Sequence, residues 1–470
     1  MRGLRYAAAL AVTLTGCTVG PNYQRPKIDS PAAFRGPDST AAGSPDVASL
    51  GDAKWWTIFQ DPELQKLIRA ALDQSYDLRI AATRVLEARS QVTITRANQF
   101  PSLSGGPLVT GERTPVISGG FPSFSYAAIE AALSVSWDID FWGKYRRATE
   151  AARANLLAND WAQKAVMSSL TANVATAYFQ LRELDLQLDI SKRTLAARQD
   201  SLKLTQMLAD GGAASLVDVR QAEQLVETAS AAIPDLERQI QQDENQISIL
   251  LGRNPGPESA SVVPRALALA DQPLPVEVPP GIPSRLLERR PDIRQAEQTL
   301  IAANANIGVA RAAFFPDVSL TALAGLESTS LTTLFRGPAR TWTWTGQAAE
   351  PIFNAGKIRA NFRLAQQQQQ EALLMYQQTI QKAFGDVSNA LIAYQKYREE
   401  LEHQQRLVTA ANSAADLSRL RYQGGAASYL EVLTNDTNAF SAELNLAAVR
   451  LGENAALVQI YSSLGGGWEQ

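Results

Sequence analysis

The sequence predicts a mainly α-helical chain with a smaller β part, built from two copies of one unit, each supplying two strands and a long helical hairpin. Three observations carry this. The string Gly211-Gly212-Ala213-Ala214-Ser215 recurs 213 positions later as Gly424-Gly425-Ala426-Ala427-Ser428. At the same offset of 213, Ile139, Gly143, Lys144 and Arg146 match Ile352, Gly356, Lys357 and Arg359, and Gly252 matches Gly465. Upstream, Asp77-Leu78-Arg79, Arg96-Ala97 and Phe100-Pro101 answer Asp292-Ile293-Arg294, Arg311-Ala312 and Phe315-Pro316 at an offset of 215, so one loop differs by two residues. Second, residues 146–210 hold no proline and are rich in Ala, Leu, Gln, Glu, Arg and Lys, and residues 358–422 are the equivalent run. Third, Leu133, Val135, Trp137, Ile139 and Phe141 alternate with Ser134, Ser136, Asp138 and Asp140, the two-residue period of a strand with one apolar face.

Taken in order, the chain starts with an export signal. Arg2 and Arg5 precede the apolar run from Tyr6 to Leu14, and Leu14-Thr15-Gly16-Cys17 reads as a lipobox in which Cys17 is acylated, as by palmitate, and becomes the mature N-terminus. It is the only cysteine, so no internal disulfide forms. Pro21, Pro26, Pro31, Pro37 and Pro45 make residues 18–58 an extended arm rather than a packed element. Asp61 is placed to cap the first helix, with Pro62 at its first position and Leu64, Leu67, Ile68, Ala71 and Leu72 on one face.

A second helix is expected from about Asp77 to Gln99. A strand then starts near Pro101, and the Gly- and Pro-rich segment 105–122 reads as a long exposed connection before the strand at 133–141. In the second half, Val318, Leu320 and Ala322 alternate with Asp317, Ser319 and Thr321, and Trp342 and Trp344 with Thr341, Thr343 and Thr345. Four strands of about ten residues follow from these patterns. Trp137, Trp142, Trp342 and Trp344 suit the aromatic girdle of a membrane barrel.

Each long run would extend roughly 100 Å as a helix. In the second, Ile380, Phe384, Val387, Leu391, Tyr394, Leu401, Val408 and Ala411 mark a heptad-like seam. The two GGAAS strings reverse the chain into return helices over 215–252 and 428–465, the first of which Pro234 is expected to kink. Eight prolines within 254–283 predict a non-helical belt. The expected organisation is a signal peptide over 1–16, a lipidated arm over 17–60, a first repeat over 61–252, a Pro-rich linker over 253–283, a second repeat over 284–465 and a tail over 466–470.

Composition narrows the function. Without the signal peptide the chain has 42 basic against 47 acidic residues, which gives nucleic acid no electrostatic attraction. One histidine, His403, and one cysteine leave no Ser-His, Cys-His or metal constellation, and no phosphate-cradling glycine loop joins a strand to a helix. An enzyme is therefore not expected, and no cofactor or metal either. Four strands cannot close a barrel, and a bilayer tolerates no open sheet edge. Two copies would supply eight strands and three copies twelve; a pore continued by helices favours the trimer.

Cys17-Thr18-Val19-Gly20-Pro21-Asn22-Tyr23 with Arg25-Pro26, Trp55-Trp56 with Phe59, and Asp61-Pro62-Glu63-Leu64 are motifs with a family character. So are Glu288-Arg289-Arg290-Pro291-Asp292-Ile293-Arg294, Ala310-Arg311-Ala312-Ala313-Phe314-Phe315-Pro316 and Tyr422-Gln423-Gly424-Gly425. On these, the mature chain resembles the TolC-like outer-membrane factors, in their lipoprotein branch. The resemblance implies a homotrimer with a twelve-stranded transmembrane barrel in the outer membrane and a periplasmic helical barrel, closed at its tip until an adaptor protein docks. It also implies efflux of drugs and small toxic compounds by an inner-membrane, proton-driven transporter. The two GGAAS turns, Gly211, Gly212, Ala213, Ala214, Ser215 and Gly424, Gly425, Ala426, Ala427, Ser428, become candidate adaptor contacts. Asp218, Glu431 and Asp436 become candidate gate charges, with Thr434 where many relatives carry an acid. A channel for type I protein secretion, with an ATP-hydrolysing partner, keeps the fold and changes the cargo; a non-conducting stalk is the more distant alternative.

Overall fold

A computed structural model describes residues 18–31, 33–35, 49–114, 124–257, 262–275, 278–279, 281 and 283–468. The expected signal peptide and Cys17 lie outside them. Asp61 caps helix α1 (Pro62–Gln74) by accepting the Glu63 and Leu64 backbone N–H groups, and Leu64, Leu67, Ile68 and Ala71 are buried along one face. Helix α2 (Tyr76–Ala97) ends before Phe100-Pro101, where the chain enters the sheet as strand β1 (Ser102–Thr114). Strand β2 (Phe124–Ile139) follows, and Asp140 starts helix α3 (Lys144–Asp210) by accepting the Tyr145 and Arg146 N–H groups. The return helix is α4 (Leu216–Leu250).

The second half repeats the order: α5 (Pro283–Arg289), α6 (Pro291–Ala312), β3 (Asp317–Ser328), β4 (Arg340–Ala349), α7 (Lys357–Gln423) and α8 (Tyr429–Ser463). Helices α3 and α7 are each 67 residues long, about 100 Å at 1.5 Å per residue. Among the described residues no helix is long and apolar enough to cross a membrane. The described chain divides into two compact units, one holding Arg84–Asp160 and Gln295–Gln377 with the chain up to Lys27, the other Ile28–Thr83, Trp161–Arg294 and the chain from Gln378.

The first unit contains the sheet, a four-stranded antiparallel array in the order β1-β2-β3-β4. Its register sorts the side chains by face. Leu103, Val135, Ala322 and Trp344 form one row across it, and Gly105, Leu133, Ala324 and Trp342 the next. On the other face, Ser102, Ser136, Thr321 and Thr345 form a row of hydroxyls. The strands are longer than the alternation indicated, and residues 105–114, expected in the connection, belong to β1. Glycine and proline are poor strand formers, but β1 has a neighbour on one side only within the chain, where a missing N–H and weak propensity are tolerated. Gly105 has a use there: a Cβ at this position would stand 2.5 Å from the Leu133 side chain.

The described residues of the arm are also packed, contrary to expectation. The Val19 N–H donates to the Trp142 carbonyl, Asn304 donates to the Pro21 carbonyl, and Arg25 pairs with Glu297 at 3.0 Å, all in the first unit. In the second unit Phe34 is buried near Phe384, and Trp55–Ile58 forms a helical turn with Trp55, Ile58 and Phe59 buried.

The remainder of the second unit is helical packing plus the belt. Along the middle of α7, Tyr376, Ile380, Ala383, Val387, Ala390 and Tyr394 are buried. The 3- and 4-residue spacing of the expected seam holds here, but Ala383 and Ala390 are buried where Phe384 and Leu391 were expected, and those two are half-buried beside them. Helix α4 continues unbroken through Pro234, which is exposed. Belt residues 262–275 carry only a 3₁₀ turn, Leu269–Asp271, and are tied down by polar contacts: Leu267 N–H and Gln272 Nε2 donate to Asp61, and Arg265 pairs with Asp185 and Glu244. At the C-terminal end the Gly466 carbonyl accepts Ser168 Oγ, and Trp468 meets Trp161 edge-on beneath Lys164.

Candidate functional site

Two features of the chain have no structural duty that accounts for them fully: the turns between the long and return helices, and the two-faced sheet. Each turn closes its helix by a reversed ladder. The Ala213 N–H donates to the Leu208 carbonyl at 2.7 Å and the Ala426 N–H to the Arg421 carbonyl at 2.8 Å, so the last carbonyls are satisfied. This requires left-handed backbone at the second glycine, with φ of 75° at Gly212 and 70° at Gly425. No side chain but hydrogen enters that region without strain, which explains why the string is repeated.

Around both turns apolar side chains face outward. Met207 and Leu420, equivalent at the repeat offset, are each 64% exposed, and Val217 and Leu430 are 63% and 56% exposed. Leu216 and Leu417 extend the exposed apolar surface. Applying the 213-residue offset beyond the GGAAS strings would have revealed these pairs; the residue-type motif by itself did not.

The three candidate gate acids lie in different surroundings. Asp218 forms a capping box: the Ser215 N–H donates to its carboxylate at 2.9 Å while its own N–H donates to Ser215 Oγ. Ser428, equivalent to Ser215, makes no side-chain cap, and Glu431 instead pairs with Arg421 at 3.1 Å, which also donates to the Ala426 carbonyl. Asp436 is buried and meets Arg419 at 2.7 Å. Burial pushes its carboxyl up from the ordinary range, opposed by Arg419 and Arg198. Arg198 is buried on α3, donates to the Leu225 carbonyl and lies over the Phe440 ring at 5.0 Å. Thr434 donates to the Leu430 carbonyl and contributes no charge. The arginines at 198, 419 and 421 had no sequence signal, since each owes its role to neighbours distant in the chain or across a turn.

The sheet presents a bare apolar face, with Trp342 and Trp344 71% and 68% exposed. Of the four tryptophans expected in a girdle, these two stand on the outward strand. Trp137 donates its indole N–H to the Gln99 carbonyl, and Trp142 lies beyond β2, stacked on Phe315 with its N–H on the Pro316 carbonyl. Both are half-buried, and Trp137 shares the apolar face with Leu320, its partner on β3. The hydroxyl-bearing face carries Glu112, Glu130 and Glu327, with Glu130 directly opposite Glu327 and Glu112 accepting the Tyr126 hydroxyl. An apolar face next to a polar, acid-bearing one suits a wall between lipid and water.

Comparison with known proteins agrees with this geometry. The profile of the family described as outer membrane efflux protein matches residues 67–253 and 282–466. The chain is 35% identical over 464 residues to the cation efflux system protein CusC of Escherichia coli O6:H1, covering 98% of each chain. It is 38% identical over 461 residues to the toluene efflux pump outer membrane protein TtgI of Pseudomonas putida, covering 97% of this chain and 96% of that one. The crystal structure of the open state of the Neisseria gonorrhoeae MtrE outer membrane channel superposes with a TM-score of 0.84 at 32% identity, covering 96% of this chain and 99% of that chain. The duplicated helical hairpins, the two-faced sheet and these likenesses together establish that the chain belongs to the outer membrane efflux protein family.

Proposed function

We propose that this outer-membrane efflux channel works as a homotrimer, a passive gated conduit that receives small toxic molecules from an inner-membrane, proton-driven transporter through a periplasmic adaptor. The observation that carries the reading is the sheet: four strands with a bare apolar face and two open edges have no stable place in a bilayer unless copies close them into a barrel. Three copies give twelve strands, and the hydroxyl-lined face then borders a water-filled lumen. The work of the chain is conduction, with no catalytic residue, cofactor or metal assigned. The two stretches matched by the family profile support two repeats, over 61–252 and 284–465, separated by the Pro-rich linker. Cys17 is the lipid attachment point that follows a cleaved signal peptide.

The turns Gly211–Ser215 and Gly424–Ser428 are the adaptor contacts in this reading, and the exposed Met207, Val217, Leu420 and Leu430 give them apolar area to bury. Asp218, Glu431 and Asp436 are the proposed gate charges, acting with Arg421, Arg419 and Arg198. Efflux of cations or toluene, named for the relatives, marks the range of cargo to be screened.

In-cell photocross-linking from positions beside Ser215 and Ser428 tests the reading. Capture of an adaptor together with a proton-driven transporter is the expected result. Capture of an ATP-hydrolysing partner would move the chain to protein secretion, and no adaptor in repeated trials would remove the docking surface.

A further inference from the structure

The duplication extends to the hydrogen-bond register. Shifting β1 by 215 and β2 by 213 carries the first hairpin onto the second: Ser102↔Ser136 becomes Asp317↔Ala349, and Leu103↔Val135 becomes Val318↔Ala348, both of which are observed pairs. The pairing of β2 with β3 joins the first repeat to the second. Its image under the same shifts joins the second repeat to a first repeat that must lie in another copy of the chain. We infer that β4 of one subunit pairs antiparallel with β1 of the next in a register that sets Trp344 opposite Gly111, Trp342 opposite Arg113 and Thr345 opposite Thr110. The inference rests on the trimeric reading above and specifies its interface.

The parent pairs are Ala131↔Leu326, Ile129↔Ser328 and Ala132↔Gly325. The transferred register carries the in-phase faces of the β2–β3 pairing over to the seam. Leu103, Pro107 and Val109, on the apolar face of β1, meet Ile352, Ala348 and Gly346, whereas Thr110 and Leu108 on the other face meet Thr345 and Gln347. A slip of one residue would mix the faces along the whole seam. Side-chain sizes also fit, since a Cβ on Gly111 would meet nothing within the subunit, leaving room for the Trp344 indole. Arg113 opposite Trp342 brings a guanidinium to an exposed ring.

The foot of the sheet repeats the message. Trp142 of the first repeat stacks on Phe315 with centroids 4.6 Å apart. The equivalent positions, Ala355 and Phe100, make no such contact within the subunit: Phe100 is 55% exposed, and Ile352 and Phe353 beside Ala355 are 100% and 89% exposed. These are the residues that the neighbouring copy covers. The contact is heterologous, edge to opposite edge, so it repeats from copy to copy around the barrel until the first and last edges meet.

Cysteine pairs in the full-length protein in its membrane test this. Directly opposite residues have Cα atoms about 4.5–5.5 Å apart, within disulfide reach, while a two-residue slip moves them to about 7–8 Å. Each variant is first shown to be trimeric by amine-reactive cross-linking. Upon oxidation, Thr110→Cys with Thr345→Cys should then run as a covalent trimer on denaturing gels, and Leu108→Cys with Gln347→Cys likewise. Each single variant, and the parent with Cys17, should stay monomeric. Preferential linkage through Thr110→Cys with Thr343→Cys or with Gln347→Cys overturns the register, and trimers in which no pair links overturn the strand pairing. Absence of trimers in the parent protein would instead remove the oligomeric reading itself.

Discussion

Two aspartates show how one residue type serves opposite ends. Asp61 is fully buried and accepts from Glu63, Leu64, Leu267, Gln272 and the Tyr178 hydroxyl, so it caps α1 and ties down the belt. Burial would raise its carboxyl, but these donors outweigh it and hold it below the ordinary value. Its stabilising effect is therefore present above the ordinary carboxylate range and lost as pH falls through the depressed value. Asp61→Ala strands two buried donors and should cost about 2–4 kcal/mol, read as thermal melting of the purified protein, with Asp61→Asn intermediate. Asp243 on α4 is pushed up to about 7 by burial and by Glu244 and Asp185, with Arg265 opposing. A carboxyl raised in this way stabilises the fold in its protonated form. That contribution is intact below about pH 4 and lost as pH rises through 7. Asp243→Asn should exceed the parent by about 1–2 kcal/mol at pH 8 and match it near pH 4; equal gains at both values would show that its charge is irrelevant.

At the scale of elements, the two return helices provide an internal control. Pro234 in α4 is exposed, so the carbonyl that loses its N–H partner can be hydrated. Its equivalent in α8, Ala447, is fully buried. Ala447→Pro should therefore destabilise the protein by about 3 kcal/mol or more, whereas Pro234→Ala should leave the melting temperature unchanged or raise it. Similar losses from both would mean that the exposure difference has no consequence. The long helices α3 and α7 were legible from an absence of proline and a surplus of helix formers, because intrinsic propensity summed over 67 residues is decisive. Of strand β1 only the start near Pro101 was legible, because Gly105, Gly106 and Pro107 read locally as a loop and are strand by pairing with β2.

At the scale of the molecule, the two faces of the sheet imply an asymmetry between neighbouring positions on β4. Trp344→Lys places a charge on the apolar face and should lower the amount of protein recovered in the outer membrane by about 2–4 kcal/mol of insertion free energy. Thr345→Lys, one residue on and facing the other way, should insert normally. Equal insertion of both variants would refute the assignment of faces. The sequence by itself determined the duplication, the number of strands, the helical hairpins and the cap at Asp61, since each rests on periodicity or on contacts a few residues apart. Only the tertiary structure decided that the described residues of the arm pack, that Trp137 and Trp142 bond the Gln99 and Pro316 carbonyls, and that Asp436 is buried between arginines 198 and 419. Those outcomes depend on which distant segments meet, and burial and charge pairing between residues far apart in the chain leave no local pattern to read.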